Sequence, residues 1–515
     1  MLNPKAEAAH SDEHSQTAPH TVLAALRDPR RLKTEVLAGL VVALALIPEA
    51  ISFSILAGVA PQLGLFASFT MAVTIAVVGG RPAMISAATG AVALVIAPVV
   101  ANHGLDYFIA TVILAGVLQI VLAAVGVAKL MRFIPRSVMT GFVNALAILI
   151  FLAQMPHLFG ANIPLLVYPL VAVGLLMLIF LPRLTTIVPA PLITIVVLTA
   201  VVLLAGWRVP NVADQGELPT SLPELFLPQV PLSLETLQIV GPYALAMALV
   251  GLMESLMTAK LVDDVTDTHS NKTRESWGQG IANIVSGFFG GMGGCAMIGQ
   301  TMINVKQSGA RTRISTFLAG VFLLILVLVL GDIVGQIPMA ALVAVMIMVS
   351  VGTMDWHSIR PSTLRVMPVP ETLVMLVTVI GTVVTHNLAI GVGLGVLTAM
   401  VMFARRVAHL VTITPVLEKD VDGDGTIDIR RYSVRGQLFW ASSNDLVYQF
   451  DYAGDPNTVI IDLTDAEVWD ASTVASLDAI RTKYADRGKT VEIIGLDGAS
   501  ASRMERLSGR LGPGH

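Results

Sequence analysis

Cysteine and charge are both scarce in this chain, and each scarcity closes a class of answer. Cys295 is the only cysteine among 515 residues, which excludes an internal disulfide and a cysteine-built metal cluster. Charged side chains make up 13% of the chain, against about 25% in soluble domains, so a soluble globular protein is excluded. The formal charge is −4 and no basic stripe accompanies it, so nucleic acid is not an expected partner. A Walker A lysine and a G-x-G-x-x-G after a strand are missing. ATP-driven pumping has no support, and no cofactor is expected. No nucleophile stands beside a base, so an enzyme is not expected either.

What is present is apolar and segregated. Residues of the AVILMFWYC set account for 55% of the chain, and the stretch 36–403 holds little charge while the ends hold much, the pattern of a polytopic membrane protein with soluble ends. Residues 1–34 begin polar, then carry Arg27, Arg30, Arg31 and Lys33 without the apolar core of a cleavable signal. They read as a short cytoplasmic tail.

Apolar runs recur at 36–58, 62–79, 83–100, 105–125, 137–154, 165–181 and 187–206. After a break they recur at 241–261, 277–289, 296–305, 314–330, 338–351, 371–386 and 388–403. A bilayer core of about 30 Å takes about 20 helical residues, and several of these runs are shorter. Fourteen alternating spans from an inside N-terminus put Arg81, Lys129, Arg132, Arg136, Arg183, Lys260, Lys272, Arg274, Lys306, Arg311, Arg313, Arg360 and Arg365 on one side. That is the side expected to be cytoplasmic. The linker 207–239 carries Asp214, Glu217, Glu224 and Glu235 on the other side, and both termini are then cytoplasmic.

Seven spans on each side of a linker imply an inverted repeat. Glu49 answers Glu254, Ala83-Met84-Ile85-Ser86 answers Ala296-Met297-Ile298-Gly299, and Ile134-Pro135 answers Ile337-Pro338, at offsets of 205, 213 and 203 residues. The expected transmembrane domain is 35–408. From 409 to 515 the composition becomes that of a soluble α/β module. Extended runs near 427–439, 459–463 and 491–496 alternate there with helical stretches near 442–449, 473–484 and 499–507.

Glu49 and Glu254 are the only carboxylates expected inside spans, where an ionisable group is costly unless it faces the protein interior or a wet cavity. A carboxyl shielded from water favours its protonated form, which is the chemistry of a proton relay. The other reading of each is a structural carboxyl. Thr258 follows Glu254 by four residues, on the same helix face, and the pair also suits part of a sodium site. The breakers Gly79-Gly80-Arg81-Pro82 and Gly290-Gly291-Met292-Gly293-Gly294 predict half-helices in spans three and ten. Half-helix N-termini present unpaired amide N–H groups and a positive dipole end to a small anion, and Thr89, Gly90, Gln300 and Thr301 stand near them. Close packing of small residues is the other use of such glycines.

The run Asp420-Val-Asp422-Gly-Asp424-Gly425 starts like a calcium loop, but Arg431 stands where a bidentate Glu is needed, and a hairpin turn is expected. His157, His269 and His386 have no second ligand at metal spacing, so no metal site is expected. Cys295 reads as a small packing residue.

The ordered stretches Ala38-Gly39-Leu40, Ile47-Pro48-Glu49-Ala50, Ala57-Gly58-Val59-Ala60-Pro61-Gln62-Leu63-Gly64-Leu65, Phe133-Ile134-Pro135 with Gly141-Phe142, Asn271 and Glu275 with Gly278-Gln279-Gly280-Ile281-Ala282-Asn283, Gly290-Gly291, and Ile337-Pro338-Met339-Ala340-Ala341-Leu342 resemble the SulP family of anion transporters, bacterial relatives of the solute carrier 26 proteins. The tail resembles a STAS domain. Gly436-Gln437-Leu438-Phe439-Trp440 matches its first strand and Val459-Ile460-Ile461-Asp462 its central strand. Asp470-Ala471-Ser472 matches the turn whose serine is phosphorylated in anti-sigma factor antagonists. That turn is expected to place Ser472 just before a helix N-terminus, as a regulatory phosphosite or as an N-cap.

The resemblance implies a core domain (spans one to four and eight to eleven) moving against a gate domain, an anion between half-helices three and ten, and a homodimer in the inner membrane. Many animal members carry arginine at the position of Gln300, many place glutamine at that of Glu49, and span three often reads Gly-Pro where this chain has Thr89-Gly90. Without a fixed positive charge, anion binding is favoured if a cation enters with it. Proton-coupled symport of sulfate, bicarbonate or a dicarboxylate is therefore expected. Sodium-coupled bicarbonate uptake and an anion sensor signalling through the STAS domain are the alternatives.

Overall fold

The computed structural model describes residues 21–126, 134–160, 163–184, 189–231, 233–385, 387–408, 411–419, 429–443 and 446–510. The turn expected at 420–425, His386, Lys129, Arg132 and the first 20 residues of the tail lie outside them. The described chain divides into two compact units on either side of Val396.

The first unit is helical because an apolar chain in lipid must satisfy its own backbone polar groups. Its helices are α1 (Val22–Arg27), α2 (Pro29–Ala57), α3 (Pro61–Val78), α4 (Gly90–His103), α5 (Leu105–Val125), α6 (Arg136–Leu152), α7 (Met155–Phe159), α8 (Val167–Leu184) and α9 (Ala190–Ala205). A two-residue strand β1 (Ser86–Ala87) precedes α4. After the linker come α10 (Leu234–Thr266), α11 (Lys272–Phe288), a second short strand β2 (Cys295–Ala296), α12 (Ile298–Met302), α13 (Arg313–Gly335), α14 (Met339–Thr353), α15 (Pro361–Val366), α16 (Val369–Thr385) and the start of α17 (Leu388–Ala408), which runs across the division at Val396. A π-turn, Ile303–Gln307, continues α12. Eight helical stretches among the described residues, one of them α6 and α7 together, are long and apolar enough to cross a membrane, and α4, α9, α14 and α16 are shorter apolar ones.

The element order repeats across the linker: long helix, helix, strand, short helix, long helix, then a helix begun by proline. Pro135 and Pro338 take the N-cap positions of α6 and α14, where a missing N–H costs nothing. Glycines let α5 and α11 approach closely. A Cβ on Gly116 would lie 2.6 Å from the Gly280 carbonyl oxygen, which only a missing side chain allows.

Two expectations need correction here. Glu49 and Glu254 are not the only carboxylates set within the apolar helices, because Glu35 of α2 and Glu275 of α11 are there too, and both are buried. Both serve backbone ends. Glu35 accepts from the N–H groups of Arg311 (2.8 Å), Thr312 (3.0 Å) and Ser315 (3.2 Å) at the start of α13. Glu275 accepts from those of Gly80 (2.7 Å) and Arg81 (2.9 Å) after α3. Helix α10 also begins at Leu234, capped by Ser233, inside the stretch expected to be linker.

The second unit holds the sheet β3 (Thr412–Lys419), β4 (Ile429–Leu438), β5 (Thr458–Val468) and β6 (Thr490–Ile494), in the order β3-β4-β5-β6. The β3–β4 pair is antiparallel and the other two pairs are parallel. With α18 (Trp440–Ser443), α19 (Ala471–Ala485) and α20 (Gly498–Leu507), the sheet encloses a core of Val434, Leu438, Val459, Ile461, Leu477 and Ile480. Strand β3 was not expected from the sequence. Pro415 interrupts its pattern, and the register shifts between Pro415 and Leu417, as edge strands tolerate. The stretch 442–449, expected as a helix, is the end of α18 and a single 3₁₀ turn over Leu446–Tyr448.

Candidate functional site

The site forms where the two halves cross. Ser86 lies opposite Ala296 and Ala87 opposite Cys295, and the Met297 N–H donates to the Ile85 carbonyl at 2.9 Å. Gly294 permits this approach, since a Cβ there would overlap the Ala87 carbonyl oxygen. Buried polar side chains hold the crossing in place. Asn283 accepts from the Gly294 N–H (2.8 Å) and donates to its carbonyl (3.1 Å). Gln279 donates to Ser86 Oγ (2.6 Å) and to Glu275 (2.8 Å). Ser255 Oγ accepts from the Ala296 N–H (3.1 Å) and Thr301 Oγ1 from the Ile85 N–H (3.0 Å). Glu275, Gln279 and Asn283 recur every four residues and share one face of α11. That spacing in a membrane helix was the available signal for a polar frame.

Helical segments leave the crossing from both strands. Thr89 is the N-cap of α4, its hydroxyl accepting from the Val92 N–H at 3.5 Å. Gly90 follows, and a Cβ on it would lie 2.9 Å from the Phe53 ring. Gln300 and Thr301 belong to the first turn of the segment 298–307. Gly299 faces open space, with nothing within 4 Å of where its Cβ would be. Among the described residues no lysine or arginine hydrogen-bonds these. Arg81 is committed to Asp263, Thr266 and Thr268 at the end of α10.

The two carboxylates bind different partners. Glu49 is half-buried on α2, immediately after Pro48, which removes one helix hydrogen bond. Its Oε1 accepts from Gln300 Nε2 at 2.6 Å. Glu254 on α10 is buried, and its Oε2 accepts from the Cys295 thiol at 2.8 Å. Cys295 Sγ also lies 3.1 Å from Thr89 Oγ1. Cys295 is thus no mere packing residue, because it ties Glu254 to the cap of α4, and nothing in its local sequence announced that. Thr258 shares Glu254's helix, but its hydroxyl donates to the Glu254 backbone carbonyl at 2.8 Å. Among the described residues no three His, Cys, Asp or Glu side chains group as metal ligands.

In the second unit Ser472 lies one residue inside α19, not before it. Asp470 is the N-cap, accepting from the Thr473 N–H at 3.0 Å. The Ser472 side chain is exposed.

A crossing of two extended segments that feed short helices, inside a repeated helical bundle carrying an α/β tail, defines a class of helical membrane transporters. The model of the sulfate permease family matches residues 32–169 and 161–378, and that of the STAS domain matches residues 420–508. The chain belongs to the sulfate permease family, the SulP and solute carrier 26 group of anion transporters, and carries a STAS domain. It is 50% identical over 477 residues to YbaR of Bacillus subtilis (strain 168), a protein whose name assigns it provisionally to sulfate transport, covering 93% of this chain and 97% of that one. The transmembrane domain of a cyanobacterial bicarbonate transporter, BicA, superposes with a TM-score of 0.63 at 26% identity, covering 72% of this chain and 98% of that one. Murine Solute Carrier 26 family member A9, an anion transporter captured inward-facing, shares the fold with a TM-score of 0.77 at 16% identity, covering 97% and 94%.

Proposed function

We propose that this protein is a secondary active transporter that imports a small anion, sulfate, bicarbonate or a dicarboxylate, together with protons. It works by alternating access in the cytoplasmic membrane, with both termini cytoplasmic and the chain paired as a homodimer. The observation that carries this reading is the direct bond between Glu49 and Gln300 at 2.6 Å, beside the start of one half-helix and across the crossing from the other.

Half-helix N-termini supply donors and partial positive charge but no full charge. Thr89, Gly90, Gln300 and Thr301 form the substrate site in this reading. A carboxylate beside it repels the anion, and protonating Glu49 removes that repulsion, so anion and proton enter together. The core domain then moves against the gate and exposes both to the cytoplasm. The STAS domain regulates transport, with Ser472 as the modification site.

The likeness to BicA, together with Glu254 and Thr258 lying one helical turn apart, favours sodium-coupled bicarbonate uptake as the second reading. Uptake of labelled sulfate, bicarbonate and fumarate into proteoliposomes, under an imposed proton or sodium gradient and with Glu49→Gln alongside, tests both. Proton-driven uptake that Glu49→Gln abolishes supports the first. Sodium-driven uptake indifferent to Glu49 supports the second. Binding without uptake of any anion would overturn both in favour of a sensor.

A further inference from the structure

Gln300 is 3% exposed, and its amide is only half used. Nε2 donates to Glu49 at 2.6 Å, whereas Oε1 is buried with no hydrogen-bond partner among the described residues. Leaving a buried carbonyl oxygen unpaired is costly, so this orphan, in direct contact with the Glu49 pair, calls for an explanation.

An amide offers a carbonyl and an NH2 from nearly the same position, exchanged by a half turn about its last torsion. Ionised Glu49 can only accept, so it takes the NH2. Protonated Glu49 carries an O–H that needs an acceptor, and Gln300 Oε1 lies one half turn away. We infer that Gln300 is the coupling element of the site: its amide turns over when Glu49 gains a proton, which pairs Oε1 with the carboxyl and frees the NH2 to bind the anion. This rests on the reading of Glu49 as proton carrier. The proton enters from the outer side onto the Glu49 carboxylate, stays there while the anion is held, and leaves to the cytoplasm, when the amide returns to the carboxylate.

Among the described residues Glu49 has no titratable partner. Helix α2 packs against α1, α3, α4, α9, α12 with its π-turn, α13 and α14. The charged or titratable side chains on these are Arg27, His103, Lys306, Arg313 and Asp332, toward helix ends, and α2 itself carries Arg30, Arg31, Lys33 and Glu35 in its first two turns. None of them is hydrogen-bonded or ion-paired to Glu49 among the described residues.

Binding of labelled sulfate and bicarbonate to the full-length protein, at acid and alkaline pH, tests the switch with Gln300→Met, which keeps the shape and loses the amide. The expected result is a loss of about tenfold in affinity at acid pH, the size of one hydrogen bond to a charged group, and less than about twofold at alkaline pH. An equal loss at both pH values, or none, overturns the switch. Glu49→Gln separates the two readings: if it flattens the pH dependence while Gln300→Met loses affinity equally at both pH values, only the switch fails. If the pH dependence survives Glu49→Gln, Glu49 is not the proton carrier and both fail. Infrared difference spectra of otherwise unaltered protein with isotope-labelled glutamine amides test the switch without a Gln300 variant. Acidification is expected to give a carboxyl band and an amide-carbonyl shift that vanish together in Glu49→Gln, and a carboxyl band with no amide shift would overturn it.

Discussion

Replacing Gly294 with alanine tests the crossing on which the whole site depends. The added Cβ would overlap the Ala87 carbonyl oxygen and lie 2.6 Å from the Ala87 carbonyl carbon and 3.0 Å from the Ala88 nitrogen. All three are backbone atoms, so no side-chain rotation relieves the clash and the strands must part. Parting them breaks the Met297–Ile85 bond (2.9 Å) and both bonds between Gly294 and Asn283 (2.8 and 3.1 Å). Each buried bond lost with its partner left unpaired costs about 1–3 kcal/mol, so the sum is about 3–9 kcal/mol. The displacement also pulls Cys295 away from Glu254 and Thr89, so the proposed substrate site is disrupted together with the fold. The assay is thermal unfolding in detergent alongside labelled anion uptake in proteoliposomes, with Gly299→Ala as comparison because nothing lies within 4 Å of its Cβ. Gly294→Ala is expected to lose both stability and uptake, and Gly299→Ala to keep its stability. Normal stability and uptake in Gly294→Ala would show that the strands do not cross as described.

Three further outcomes concern the STAS domain. Asp455 is buried and accepts from Arg430 (2.8 Å), Tyr432 (2.9 Å) and Tyr484, so Asp455→Ala is expected to cost this domain about 3–5 kcal/mol; unchanged hydrogen exchange in strands β4 and β5 would refute it. Burial, then the bond to Asp455, holds the Tyr432 and Tyr484 hydroxyls above the usual tyrosine range, and burial pushes Tyr452 up to about 12. Because an unfolded tyrosine ionises near pH ~10, the stability these groups contribute is complete below that pH and is lost as pH rises through the higher folded values. Tyrosinate absorbance is therefore expected to rise together with loss of strand signal, and a simple titration near pH ~10 in an intact sheet would refute the assignment. Since Asp470 already caps α19, Ser472→Ala is expected to change stability by less than about 0.5 kcal/mol, and a drop well beyond that on thermal unfolding would mean the hydroxyl has a structural role. Comparing uptake by Ser472→Ala and Ser472→Asp then isolates any regulatory effect.

Helix positions were legible in the sequence because lipid leaves an apolar segment no option but to bond its own backbone. The run 105–125 coincides with α5, and the glycines at 290–294 and the breaker at 79–82 fall just before the two extended segments. The same logic located Glu49 and Glu254, since a carboxyl in such a run stands out by its cost. What each carboxyl does was decided only by tertiary structure. Glu49 meets Gln300 across 251 residues, and Glu254 meets Cys295 across 41, distances over which local pattern carries no information. Thr258, chosen for its spacing from Glu254, spends its hydroxyl on the backbone one turn back, as Thr in helices commonly does. Glu35 and Glu275 stand just outside the apolar runs 36–58 and 277–289, and the structure makes them buried caps on distant segments. Composition and periodicity sufficed for what depends on solvent, namely a membrane bundle of apolar helices followed by an α/β tail. Partnership between buried polar groups depends on where the chain crosses itself, and that follows from packing two halves around Gly294, not from any stretch of sequence alone.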